Sequence, residues 1–320
     1  MSNTMVKWEE SDTFNPAAIS KDGKIVVLYR AEDNSGQGIG KRTSRIGYAE
    51  SKDGIKMKRN KIPVLFPDND NFKDLEWPGG CEDPRVTITE DGLYVMLYTS
   101  WNRKTARLAV ATSRDLINWE KHGLAFEKAY DGRFKNLFCK SASMLTKIKN
   151  GKMVIEKING KYFMYWGERA VYAATSDDLI NWQPVLDEQN NLLVLARPRD
   201  KYFDSDMTEC GPPALLTDKG IVLLYNGRNS GNEKKADPNY PRKTYSAGQL
   251  LFDTNNPYKL LARLDKPFFY PEATYEKSGQ YVDGTVFIQG LAYLKNKLYL
   301  YYGCADSQIG VAICDYKIKQ

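Results

Sequence analysis

Two adjacent carboxylates and a guanidinium stand within four residues in Glu82-Asp83-Pro84-Arg85, directly after Gly79-Gly80-Cys81. The two glycines open backbone conformations closed to other residues, and Pro84 fixes its own φ while biasing Asp83 away from the helical region. Asp83 is therefore expected in extended geometry on a rigid turn set just before a strand. Such rigidity suits a side chain that must meet one atom of a substrate. The plain alternative is an ion pair between Asp83 and Arg85 that fixes a surface turn.

The elements that would position such a site repeat along the chain. Strand-like runs at 24–30, 93–99, 161–166, 220–226 and 297–302 all carry a tyrosine near their end, at Tyr29, Tyr98, Tyr165, Tyr225 and Tyr301. The steps between these tyrosines are about 69, 67, 60 and 76 residues, the span of one propeller blade with its loops. A second motif recurs as Ala49-Glu50-Ser51-Lys52-Asp53-Gly54, Ala111-Thr112-Ser113-Arg114-Asp115-Leu116 and Ala174-Thr175-Ser176-Asp177-Asp178-Leu179. Each reads as a strand end and a Ser/Asp turn, and Trp119 and Trp182 following two of them are expected to pack between sheets. Long helical periodicity is absent, and Gly, Pro, Asn and Asp punctuate the chain every ten or so residues. The pattern predicts an all-β, five-bladed β-propeller formed by residues 1–320 as a single domain.

Residues just beyond the recurring tyrosines should converge on a pocket at one end of the axis: Arg30 and Glu32, Thr99 and Trp101, Trp166 and Glu168, Asn226 and Arg228, Tyr302 and Asp306. They are polar and aromatic, whereas the residues before them are apolar, as above a packed core. The irregular stretches 34–42 and 229–243 are expected to rim that pocket.

Composition excludes several functions. The chain has 320 residues and a formal net charge of +6, with both signs mixed and no concentrated basic stripe, so no nucleic-acid surface is expected. Five cysteines (Cys81, Cys139, Cys210, Cys304, Cys314) lack C-x-x-C spacing, which argues against a disulfide framework and a zinc site. A single histidine, His122, placed in an expected surface loop, excludes a His-cluster mechanism. No run is long enough to span a bilayer and the first seven residues lack a signal-peptide core, so a soluble protein without membrane insertion is expected, cytoplasmic or periplasmic. Twenty-one tyrosines are enough rings to stack on sugars, although aromatic-rich strands explain them equally.

With these residues in hand, the chain resembles glycoside hydrolase family 130, the mannoside phosphorylases and β-mannosidases built on a five-bladed propeller. The resemblance spans nearly the whole chain, through Phe14-Asn15-Pro16-Ala17, Leu28-Tyr29-Arg30-Ala31-Glu32, Ser44-Arg45-Ile46-Gly47, Glu82-Asp83-Pro84-Arg85, Lys140-Ser141-Ala142, Gly211-Pro212-Pro213 and Tyr301-Tyr302-Gly303-Cys304-Ala305-Asp306. It implies that Asp83 is the proton donor and that Asn15, Arg30, Arg45, Lys140 and Asp306 hold the mannosyl unit, with Tyr245 as a further sugar contact; Trp101 or Trp166 is expected to stack on a sugar face. Phosphorylases of the family carry a His-Arg pair where this chain has Trp166-Gly167-Glu168, and Tyr-His-Gly where it has Tyr225-Asn226-Gly227. With Glu168 and Glu209 in the region of the lost cations, the resemblance implies that these two carboxylates activate water instead of holding phosphate.

The expected function is an inverting, exo-acting β-mannosidase for β-1,2-linked mannosides, needing no metal or cofactor. A β-mannoside phosphorylase, with phosphate held by Arg103, Arg107, Lys140 and Arg228, is the alternative within enzymes. A non-catalytic carbohydrate-binding propeller is the alternative outside them. The sequence is compatible with a homo-oligomer and does not decide it.

Overall fold

The structure is a computed structural model and describes residues 7–317; the expectation drawn from the first seven residues falls, but for Lys7, outside it. Among the described residues, twenty-two strands wind into five blades. The first blade comprises β1 (Asp12–Lys21), β2 (Lys24–Glu32), β3 (Ser44–Ser51) and the short β4 (Lys58–Arg59); the second comprises β5 (Gly80–Ile88), β6 (Tyr94–Trp101), β7 (Ala106–Ser113) and β8 (Glu120–Leu124). In the third, β9 (Ala142–Lys149) pairs both with β10 (Lys152–Ile155) and with β12 (Lys161–Trp166), which continues to β13 (Tyr172–Ser176) and β14 (Trp182–Pro184), while β11 (Lys157–Ile158) flanks β12. The fourth divides its inner strand into β15 (Met207–Cys210) and β16 (Ala214–Thr217), followed by β17 (Gly220–Arg228), β18 (Tyr245–Phe252) and β19 (Leu260–Arg263). The fifth has three strands, β20 (Val286–Leu294), β21 (Lys297–Cys304) and β22 (Gln308–Asp315). Among the described residues no helix is long and apolar enough to cross a membrane.

The core lies between blades, as it must when each sheet is apolar on both faces. Leu28, Ile46, Val86 and Met96 join the first two blades, Leu97, Val110, Met164 and Trp182 the second and third, and Phe163, Tyr165, Leu223 and Phe252 the third and fourth. Val27, Ala292 and Tyr301 close the ring between the fifth and the first. The buried cysteines are free thiols packed in this core, and Cys314 is exposed. His122 lies in β8 and not in a loop; its Nε2 is 2.7 Å from the Thr112 hydroxyl on β7.

The recurring tyrosine has a structural cause. It sits on the second strand of each blade, opposite a residue too small to obstruct its ring: Tyr29 faces Gly47, Tyr98 faces Ala109, Tyr165 faces Ala173 and Tyr225 faces Gly248. A methyl group at Gly47 or Gly248 would lie 2.3 Å from the ring. In the fifth blade the equivalent pair is Tyr302 and Gly310, not Tyr301, whose partner is Val311. The expected repeat is thus one residue out of register there, and a slip of one residue reverses the face of every side chain. Four of the phenols donate to buried carboxylates, Tyr29 to Glu9 (2.7 Å), Tyr98 to Glu76 (2.7 Å), Tyr225 to Asp204 (2.5 Å) and Tyr302 to Glu276 (2.9 Å), while Tyr165 donates to the Pro257 carbonyl (2.8 Å).

The Ser/Asp turns also repeat atom for atom. Asp53, Asp115 and Asp178 each accept two backbone N–H groups with one oxygen, and the residue after each aspartate, Gly54, Leu116 or Leu179, takes a left-handed φ of 75°, 71° or 69°. Trp119 and Trp182 donate to the Leu116 and Leu179 carbonyls and pack in or against the core, as expected.

Candidate active site

The innermost strands, β1, β5, β9, β15–β16 and β20, surround the axis, and each is irregular where the site lies. β1 bulges at Asn15-Pro16 with Asn15 at φ 45°, and β5 bulges at Asp83-Pro84 with Asp83 at φ 48°. Asp83 is therefore not on an extended turn before a strand, as expected, but in the left-handed region inside a fully buried one. Asp and Asn tolerate that region best among side chains with a Cβ, and an extra residue in a bulge re-aims its side chain out of the sheet. Ser141, at φ 63°, precedes β9; Gly211-Pro212-Pro213 separates β15 from β16; β20 bulges between Ile288 and Gly290.

Buried side chains tie these breaks together. Gln289 donates to the carbonyls of Asn15 (2.7 Å) and Pro84 (2.8 Å), so one amide fixes two bulges. Arg85 donates to the carbonyls of Gly211 (3.0 Å), Cys210 (3.0 Å) and Asp83 (3.2 Å). It is buried and positions backbone, so the surface ion pair between Asp83 and Arg85 does not exist. Gly80, at φ 121°, lets β5 approach Ser44 on β3, whose carbonyl would lie 2.1 Å from an added Cβ.

Above these breaks is a cavity of about 330 Å³. Of the residues expected at the site, Asn15, Arg30, Asp83, Trp101, Lys140, Glu209, Tyr245 and Asp306 line it. Two do not. Arg45 binds Asp33 (2.8 Å) and the Thr43 carbonyl instead, and Glu168 stands behind Lys140, 3.1 Å from its ammonium. Of the pocket set drawn from the tyrosine repeat, Trp166, Asn226 and Tyr302 are also absent. Trp166 is buried between Phe126 and Tyr172, Asn226 is bonded to the Ile288 backbone, and Tyr302 is the core tyrosine of its blade. The tyrosine strands are second from the axis, not innermost, so only their last residues reach the cavity. Loop 34–42 rims it through Ile39 and Gly40, whose carbonyl accepts from Trp101 Nε1 (3.3 Å); loop 229–243 contributes no lining residue and is folded on itself by Asn229.

Two carboxylates on this wall, Asp83 and Glu209, are only 3% and 1% exposed. Asp83 Oδ1 accepts from Asn15 (2.9 Å) and from Arg30 (3.2 Å). Burial pushes its pKa up, but Arg30, Lys140 and the Asn15 hydrogen bond outweigh burial and hold it below the ordinary aspartate value. Glu209 accepts from the Ser141 hydroxyl and lies 3.6 Å from Lys140. Burial raises its pKa, with Glu168 adding to the rise and Lys140 opposing it. The two carboxyls are thus shifted in opposite directions, Asp83 towards the anion and Glu209 towards the protonated form.

Residues without an expected role, Glu82 among them, complete the cavity beside Asp306, which was expected there. Glu82 is pushed up to about 7 by burial, against the pull of Arg30 and with Asp83 and Glu32 adding to the rise; Asp306 is raised to about 7, again chiefly by burial. The Asp306 carboxylate has no hydrogen-bond or ion-pair partner among the described residues and faces the cavity. Phe138, Tyr281 and Phe287 add rings, and Phe138 and Ile39 are more than half exposed at the mouth. Adjacency to Asp83 and Lys140 was the available signal for Glu82 and Phe138. Among the described residues no three His, Cys, Asp or Glu side chains converge as metal ligands.

Five blades around a carboxylate-rich, ring-bearing axial cavity define a propeller with a polar axial site. The chain belongs to glycoside hydrolase family 130: the family model described as β-1,4-mannooligosaccharide phosphorylase matches residues 2–318. The chain is 34% identical to a 1,2-β-oligomannan phosphorylase of Thermoanaerobacter sp. (strain X514), over 97% of its own length and 92% of that protein. Among solved structures it is similar to a glycosyl hydrolase from Bacteroides ovatus (63% identity, TM-score 0.94, 96% of this chain and 85% of that one). It is equally similar to a structure reported with the finding that this family of mannoside phosphorylases contains glycoside hydrolases targeting β-1,2-mannosidic linkages in Candida mannan (64% identity, TM-score 0.95, 96% and 85%).

Proposed function

We propose that residues 1–320 act as one catalytic domain, an inverting, exo-acting β-mannosidase that hydrolyses terminal β-1,2-linked mannosides. The observation that carries this reading is the charge of the cavity wall. Its lining holds five carboxylates, Glu32, Glu82, Asp83, Glu209 and Asp306, against three cations. Each cation is already matched: Arg30 with Glu32, Glu82 and Asp83, Lys140 with Glu168 and Glu209, and Arg228 with Asp206. Arg103 and Arg107, the other cations considered for phosphate, are not among the lining residues. A phosphate dianion entering here would meet repulsion of roughly a few kcal/mol from each near carboxylate that is ionised, Asp83 among them; water meets none. The phosphorylase relative at 34% identity points the other way, and the structures at 63–64% identity support hydrolysis.

In the mechanism, the terminal mannose sits over the bulges, its hydroxyls held by Asn15, Arg30, Lys140 and Asp306, with Tyr245 and Trp101 against its faces. Glu209 takes a proton from water, which attacks the anomeric carbon from the face opposite the leaving oxygen. Ser141 and Lys140 orient the Glu209 carboxylate; Glu168, behind Lys140, positions that ammonium and does not touch the sugar. The anomeric C–O bond breaks as the glycosidic oxygen receives a proton through Asp83. Single displacement requires α-mannose as the first-formed product. Proton NMR during the first turnovers of β-1,2-mannobiose is expected to show the α-anomer ahead of mutarotation, and β-mannose appearing first would refute the assignment.

A further inference from the structure

The state of Asp83 raises the question of where the donated proton resides. Asp83 is held ionised by its surroundings, yet the leaving oxygen must be protonated on its side of the cavity. The Arg30 guanidinium is met by three carboxylates at once, Glu32 at 2.6 Å, Glu82 at 2.9 Å and Asp83 at 3.2 Å, and Asp306 lines the same cavity. Three carboxylates on one guanidinium, with a fourth in the same cavity and all away from bulk water, repel one another too strongly for all to ionise together. We infer that Glu82 stores the proton that Asp83 delivers, making Glu82 a positioning residue for proton transfer in the mannosidase reaction; this rests on the reading of the site given above.

The contacts separate Glu82 from its neighbours. Asp83 accepts from Asn15 and Arg30 together, which stabilises it as the anion, and Glu32 accepts the shorter of the two contacts from Arg30 Nη2. Facing Glu82 are Arg30 and Glu32 from β2, Ser44 from β3, Asp83 from its own strand and Lys140 from the segment before β9. The Ser44 hydroxyl lies 3.3 Å from both Glu32 Oε1 and Glu82 Oε1 and accepts from Arg30 Nε (3.0 Å). It can therefore donate to only one carboxylate at a time, which leaves the other short of a donor. Raised to about 7, Glu82 holds its proton in neutral and mildly acid solution and loses it as the pH rises through that value.

The transfer balances. The Glu82 proton passes to Asp83 as the proton reaching Asp83 passes to the glycosidic oxygen and the C–O bond breaks. The attacking water gives one proton to Glu209 and keeps the other as the new anomeric hydroxyl. Glu209 then releases its proton to solvent, and Glu82 takes one back.

Glu82→Gln keeps the shape and neutrality of the stored form but has no proton to give. On β-1,2-mannobiose its kcat is expected to fall by about 10-fold or more at pH 6–7 with KM within about threefold, and the fall in wild-type kcat through pH 7 should vanish from its profile. On an aryl β-mannoside whose phenolate departs without a proton, the variant should match the wild type. Equal losses on both substrates would show a structural role and overturn the inference, as would an unchanged pH profile. Difference infrared spectroscopy of the intact proteins tests the store without turnover. Of the protonated-carboxyl bands that titrate near pH 7, one should be lost in Glu82→Gln and kept in Asp306→Asn; a Glu82→Gln spectrum that retains every band of the wild type would place the proton elsewhere and refute the proposal even if the enzyme is a mannosidase.

Discussion

Replacing Asp83 with Asn is expected to lower kcat for β-1,2-mannobiose by roughly 10² to 10⁴-fold while leaving the thermal transition close to that of the wild type. The substitution is chosen because the backbone is the demanding feature of this position. At φ 48° inside a bulge, most side chains would add strain of about 1 kcal/mol or more, but Asn is among those that tolerate the left-handed region. The amide keeps an oxygen for the Asn15 donor and the Arg30 guanidinium, so the contacts that hold the bulge survive. What disappears is the group through which a proton reaches the leaving oxygen. The loss should be concentrated in kcat, and it should shrink on substrates with better leaving groups. Wild-type kcat in a folded Asp83→Asn protein would remove Asp83 from catalysis.

The second large effect is expected at Glu209. Glu209→Ala removes the base and should also cost roughly 10² to 10⁴-fold in kcat. It opens space beside Ser141 and removes one negative charge, while Lys140 keeps its contact with Glu168 at 3.1 Å. A small anion excluded from the wild-type wall then meets less repulsion. Azide is expected to restore part of the turnover and to yield α-mannosyl azide, the product of attack from the face that water uses. Turnover near the wild-type rate without azide, or a β-configured azide product, would contradict the placing of the base at Glu209.

The fold was legible because its signals are local and repeated. A strand, a tyrosine and a Ser/Asp turn recur at blade spacing, and each has a cause visible in the structure: a small residue beneath the ring and an aspartate collecting backbone donors. The slip from Tyr302 to Tyr301 arose because adjacent tyrosines give the same sequence signal on opposite faces. At the site, the motifs of Asp83, Glu209 and Lys140 pointed to one pocket, and the structure brings the three to one cavity, but the conformation of Asp83 was not foreseen. A proline after an aspartate predicts extended backbone, and the bulge that overrides it is sustained by Gln289, two hundred residues away in sequence. Arg45 and Glu168 were misplaced for a related reason. Their side chains find nearer partners in Asp33 and Lys140, and ion pairing between strands and loops leaves no periodic trace. Buried acids such as Glu9, Glu76, Asp204 and Glu276 carry no separate signal either, although they serve tyrosines and not chemistry.

This cavity is expected to admit water and to exclude phosphate as the attacking group. Incubation of the wild-type protein with β-1,2-mannobiose, with and without inorganic phosphate, followed by separation of the neutral and anionic products, tests it directly. Free mannose as the sole product in both, at rates that phosphate does not raise, is the result expected. Phosphate-dependent turnover with mannose 1-phosphate accumulating would show that the acidic wall does not keep the oxyanion out.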